Sequence, residues 1–105
     1  MKSALAPIHP GEHIKQGIDD LGLSRAEAAR VIGCSRAFMG DLIRGKRSLS
    51  IEMCFKIAGL LGSTPEFWST LQRNYEIELA ERNSKLMKTV QKIKKEVRHL
   101  EHVHI

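Results

Sequence analysis

Residues 24–47, SRAEAARVIGCSRAFMGDLIRGKR, restrict the folds open to this chain more than any other stretch. Ser24 is a helix-capping residue type, and Glu27 follows three positions later. That is the spacing of a capping box, in which each side chain accepts a hydrogen bond from an amide the helix leaves unpaired. Ala26, Ala28, Ala29 and Arg30 favour helix, and the small Ala29 lets a second helix come close. Gly33 falls where the chain must turn sharply, and glycine takes positive φ without steric cost. Ser35 caps a second helix, expected from about Arg36 to Arg44, and Gly45 stands just past its end. Ile32, Cys34, Met39, Leu42 and Ile43 are the apolar positions that pack the two helices together.

The opposite face of the second helix carries Arg36, Ala37, Gly40, Asp41 and Arg44 at helical spacing, and Lys46 and Arg47 follow it. This is the pattern of a helix-turn-helix whose second helix reads the DNA major groove. Arg36 is placed to reach a base edge, most plausibly guanine O6 and N7, with a phosphate contact as the alternative. Arg44, Lys46 and Arg47 suit phosphates, which fix register without reading sequence. Ala37 and Gly40 are small enough for close approach to bases. Ser35 adds a possible phosphate contact. Ser24 and Arg25, at the positive end of the first helix, fit the DNA backbone.

The rest of the chain reads as further helices, so the fold class is all-α, with no convincing strand. Pro10 and Glu12 suit a first helical turn, and Ile14, Ile18 and Leu21 form a stripe that Gly22 stops. Ser50 caps a fourth helix, with Ile51, Phe55, Ala58 and Leu61 as its apolar face and Gly62 at its end. Thr64-Pro65-Glu66 opens a fifth, which carries Phe67, Trp68, Leu71, Tyr75 and Leu79. A five-helix domain is therefore expected over residues 8–80. The fifth helix is the most aromatic. Trp68, Leu71, Tyr75 and Leu79 are its candidate dimer contacts, with some of its aromatic surface needed for the core.

Beyond residue 80 the chain changes character. Residues 1–83 hold eleven Lys/Arg against ten Asp/Glu, while residues 84–105 hold six against two. In that basic tail, 81–105, Leu86, Val90, Ile93, Val97 and Leu100 repeat as a heptad seam of only about two heptads. The tail reads as an amphipathic helix on its own domain or on a sister chain, as a helix for another partner, or as a basic arm on DNA phosphates. Because charge is concentrated in the tail, the overall pI near 9.5 says little about the domain. What counts there is the local cluster around the second helix of residues 24–47.

Several function classes are excluded or weakened. No run of about eighteen apolar residues suggests a membrane span, and the start, MKSALAPIHPGE, lacks the longer apolar stretch of a secretory leader. Cys34 and Cys54 sit at apolar helix positions, as buried reduced thiols of a cytoplasmic protein do. His9, His13, His99, His102 and His104 have no Cys or acidic partner to complete a zinc set. No metal or cofactor is expected, and neither a nucleophile triad nor a phosphate-binding glycine loop argues for an enzyme. RNA is a weaker partner than DNA, because an A-form major groove does not admit a reading helix.

Over residues 9–80 the chain resembles the HigA/VapI-type antitoxins of the XRE helix-turn-helix class. The residues that carry the resemblance are His9-Pro10-Gly11-Glu12, Leu21-Gly22-Leu23-Ser24, Gly45-Lys46-Arg47 and the run Leu61-Gly62-Ser63-Thr64-Pro65-Glu66-Phe67-Trp68, with Leu71-Gln72 and Asn74-Tyr75 after it. The resemblance implies a homodimer that binds a palindromic operator, represses its own toxin–antitoxin promoter and neutralises a small HigB-like, mRNA-cleaving toxin. A stand-alone helix-turn-helix repressor is the alternative. Where similar proteins often carry Ser-Arg, this chain has Gly40-Asp41. Asp41 would face a polyanion unless it accepts from a cytosine amino group or pairs with a neighbouring arginine.

Overall fold

A computed structural model describes residues 6–103. The first five residues of the start read above as lacking a secretory leader, and His104, lie outside that range. Six helices follow in order: α1 (Pro10–Asp20), α2 (Arg25–Ile32), α3 (Arg36–Ile43), α4 (Ile51–Leu61), α5 (Pro65–Glu81) and α6 (Ser84–Val103). No strand occurs among the described residues. The local signals account for the boundaries. The Ser24 hydroxyl accepts from Glu27 N–H and the Glu27 carboxylate from Ser24 N–H, both at 3.0 Å. Gly33 takes φ +79°, a left-handed value that would strain any residue with a Cβ.

The core is formed where α1 to α5 meet. Ile14, Ile18, Met39, Leu42 and Ile57 are completely or almost completely enclosed, with Ala28 and Ala29 allowing close helix approach. On α4 the buried face is Met53, Cys54, Ile57 and Ala58, whereas Ile51 and Phe55 are each 63% exposed. This corrects the expected stripe through Ile51 and Phe55, which is offset by one position from the face that α2 and α5 enclose. Leu21 likewise closes α1 as an exposed cap residue. Trp68, expected as a dimer contact, is only 3% exposed and its indole N–H donates to the Ser63 hydroxyl, so it packs in the core and offers almost no surface of its own to a second copy. Both thiols are free, and burial pushes both above the ordinary thiol value.

Three contacts brace α3 at its C-terminal end. Gly11 lies against the carbonyls of Leu42 and Ile43, so closely that a Cβ there would sit 2.3 Å from one oxygen and 2.6 Å from the other. His9 packs beside Gly45 and meets the Tyr75 ring edge-on at 4.8 Å. The Gln72 side-chain carbonyl accepts the Leu49 N–H at 2.9 Å, satisfying a buried amide of the α3–α4 connection. The His-Pro-Gly-Glu and Leu-Gln segments thus have a common purpose: they fix the end of α3 to α1 and α5.

His9 caps α1 through Nδ1, which accepts the Gly11 N–H at 2.9 Å. Burial lowers its pKa below the ordinary value near 6.5, while an Arg47 backbone hydrogen bond and the Glu12 and Glu76 carboxylates pull the other way. A lowered imidazole pKa means the unfolded chain takes the proton first. His9 therefore contributes stability that is fully present above about pH 6.5 and is lost as pH falls through the folded-state value. Urea unfolding at pH 7.5 and 5.5 is expected to show this loss, and His9→Asn, which keeps a capping side chain, is expected to reduce the difference.

Helix α6 stands apart. The chain measures 63 × 24 × 22 Å, and its radius of gyration of 18.9 Å exceeds the ~13 Å of a compact chain this long. Asn83 caps α6, its side-chain oxygen accepting the Leu86 N–H at 3.0 Å. From Ser84 to His102 all residues are exposed except Met87 and Val90, which are half-buried.

Candidate nucleic-acid interface

Held at one end, α3 offers its other end and one flank to solvent. Ser24, Arg25 and Ala26 from the start of α2 line a shallow groove together with Arg36, Ala37, Gly40 and Arg44 of α3. The two elements meet there because the Gly33 turn folds α3 back across α2. The amides at the first turn of α2 thus lie beside the α3 flank, and a helix N-terminus favours negative charge. Ser35 caps α3, its hydroxyl accepting the Phe38 N–H at 3.0 Å. Arg25, Arg36, Ala37, Arg44, Lys46 and Arg47 are all exposed.

Gly40 is placed differently from expectation. It is buried, because the Arg44 side chain folds over it; a Cβ at Gly40 would lie 3.1 Å from Arg44 Nη1. The glycine accommodates the guanidinium, which covers it. Asp41 holds that arginine. Its Oδ1 accepts from Arg44 Nη2 at 2.9 Å, and its Oδ2 lies 3.7 Å from Arg47 Nε. The carboxylate that looked out of place against a polyanion therefore pairs with two neighbouring arginines.

Arg47 is fixed twice, since its guanidinium also stacks 4.6 Å from the centroid of the Phe38 ring, a contact worth ~0.5–1 kcal/mol at an exposed site. Phe38, which stacks with Arg47, and Ala26, which lines the groove, join this candidate surface and were not singled out in the sequence. An aromatic nine positions before Arg47 on a basic helix was the available signal for Phe38, which is half-buried against the core; nothing local marks Ala26. The surface gathers five cations, Arg25, Arg36, Arg44, Lys46 and Arg47, against Asp41 and the cap residue Glu27. The Glu27 carboxyl is held below its usual range, first by the Ser24 amide and then by the Ser24 hydroxyl, so it stays ionised as part of the cap.

The Asp41 arrangement makes a sharp expectation. Asp41→Asn removes a negative charge from the surface and leaves the Arg44 and Arg47 charges uncompensated. Binding to random duplex is expected to tighten, and log affinity against log salt to steepen by about one. Fluorescence anisotropy at several salt concentrations measures both.

Of the expected dimer residues, Leu71 and Tyr75 are half-buried, with Leu71 packed on the core, and Leu79 is 45% exposed. No helix among the described residues is long and apolar enough to cross a membrane.

The sequence matches the helix-turn-helix family over residues 14–68. It is 40% identical over 72 residues to virulence-associated protein A′ of Dichelobacter nodosus, an alignment covering 68% of this chain and 63% of that protein. Among solved structures, an addiction module antidote protein of a HigA family from Coxiella burnetii superposes with a TM-score of 0.71 at 32% identity, covering 88% of this chain and 96% of that one. The Pseudomonas aeruginosa antitoxin HigA, solved with the higBA promoter, superposes with a TM-score of 0.70 at 27% identity, covering 79% and 92%.

Proposed function

The chain belongs to the helix-turn-helix family, among its HigA-type antitoxins, and we propose that it is a homodimeric, sequence-specific DNA-binding antitoxin that represses its own promoter and neutralises an mRNA-cleaving HigB-like toxin. One observation carries the DNA-binding part. The α2 N-terminus and the exposed flank of α3 share a single groove rimmed by arginines, while the far end of α3 is clamped by α1 and α5. A rigid, protruding, cationic helix is what major-groove reading requires.

Arg36 lies at the solvent end of α3 and reads a guanine edge. Arg44, Lys46 and Arg47 contact phosphates, with Asp41 and Phe38 setting the directions of Arg44 and Arg47. Arg25 and the α2 N-terminus hold the backbone of the opposite groove wall. One such module gives too little discrimination for a genome. A twofold dimer places two α3 helices about one DNA turn, ~34 Å, apart and matches a palindromic operator. The antitoxin role is supported by the relatives solved as antidote proteins and by the promoter complex of one of them.

The test is co-expression with the product of any small reading frame found beside the gene, co-purification, and a footprint on the promoter upstream. A stable complex that protects a palindrome supports the reading. A protected palindrome without a co-purifying partner makes the protein a stand-alone repressor, and absence of protection overturns DNA recognition.

A further inference from the structure

Of the large hydrophobics among the described residues, Ile51 and Phe55 are the most exposed, at 63% each. They stand four positions apart, on one side of α4. There they line a groove whose other wall is α5, with Glu66, Ser69, Thr70 and Arg73. These four fall at i, i+3, i+4 and i+7 and so share one side of α5. Trp68, Leu71 and Tyr75 fall on the opposite side, which packs on the core and on His9.

The outward wall of α5 is self-complementary. Its order is acid, small, small, base, and the same order read backwards is base, small, small, acid. Laid antiparallel on a copy of itself, this wall sets Glu66 opposite Arg73 twice, with the small Ser69 and Thr70 at the crossing. Glu66 and Arg73 lie ~10 Å apart along the helix, and no ion pair among the described residues uses either of them. An isologous contact needs a patch that fits itself. A partner of any other sequence would give no reason for the inverted order of charges beside an exposed apolar strip.

We propose that this face of α4 and α5 receives a second copy of the chain, about a twofold axis that passes between Ser69 and Thr70. The proposal rests on the homodimer of the preceding section and names its surface. Covering Ile51 and Phe55 supplies the driving force, and the two Glu66–Arg73 pairs fix the register. No residue of this face lines the groove between α2 and α3, so pairing and DNA contact use separate residues.

Charge-reversed variants of the full chain test it by sedimentation velocity, with helix content followed by circular dichroism. Glu66 and Arg73 are exposed, so Glu66→Arg and Arg73→Glu are expected to keep the fold. Each alone sets like charges together at both contacts, and its dimer dissociation constant is expected to rise roughly tenfold or more. An equimolar mixture of the two restores dimers, because one copy then brings two acids and the other two bases. The chain carrying both changes restores them by itself. Phe55→Ser is expected to weaken the dimer by roughly tenfold without loss of helix. If the parent chain is dimeric and the mixture stays dissociated, or either charge variant dimerises as the parent does, this surface is wrong while the homodimer stands. If the parent chain sediments as a monomer throughout the micromolar range, both the surface and the homodimer are overturned.

Discussion

Replacing Gly11 by alanine is expected to destabilise the domain by about 3 kcal/mol or more. Helix propensity alone argues the reverse, since alanine is favoured over glycine inside a helix by up to ~1 kcal/mol. The difference lies in what the new methyl group meets. At Gly11 it meets the Leu42 and Ile43 carbonyls at 2.3 and 2.6 Å. These are backbone atoms and cannot rotate away, so α1 must lift off the end of α3. Gly59 is the internal control: it is exposed, lies within α4, and a Cβ there has no neighbour within 4 Å. Gly59→Ala is therefore expected to stabilise by up to ~1 kcal/mol. Urea unfolding of the two variants should give changes of opposite sign. A Gly11→Ala protein as stable as the parent would mean that α1 does not clamp α3.

The second large effect concerns recognition. Arg36→Ala is expected to lower the ratio of operator to random-duplex affinity by on the order of 10- to 100-fold per half-site, the amount a lost bidentate base contact removes. Arg47→Ala is expected to weaken every duplex alike and to flatten the salt dependence of binding by about one phosphate contact. The two arginines differ in surroundings as well as in position. Arg36 is exposed at the start of α3, in the groove with Arg25, whereas Arg47 is held by Phe38 and Asp41. Gel-shift titrations against operator and random duplex separate the two behaviours. Identical effects of both changes would remove the division into reader and clamp.

What could be read directly from the chain was local. The Ser24–Glu27 capping box, the Ser35 cap and the turns at Gly33 and Gly45 depend on residues within a few positions of one another. Their spacing therefore reveals them. Contacts across the fold left no such trace. Gly11 looks like an indifferent helix residue until the α3 carbonyls are placed against it, and Gln72 looks like surface until its carbonyl meets the Leu49 amide. The face of α4 was misjudged because Phe55 is more apolar by type than Cys54, yet Cys54 is 1% exposed and Phe55 63%. Trp68 illustrates the same limit. An aromatic on a helix suits a core or an interface equally well, and only packing decides between them. At the site, the cations were legible from clustering, but the pairing of Asp41 with Arg44 and Arg47, and the cover that Arg44 gives Gly40, required coordinates.

The central claim is that the exposed flank of α3 enters a major groove and that Arg36 reads a guanine there. Methylation interference tests it most directly, because dimethyl sulfate modifies guanine N7 in the major groove and adenine N3 in the minor groove. The expected result is loss of binding on methylation of one guanine in each operator half-site, with that interference absent for Arg36→Ala. Binding that tolerates every guanine N7 methyl group, or that is blocked only by adenine N3 methylation, would contradict the account.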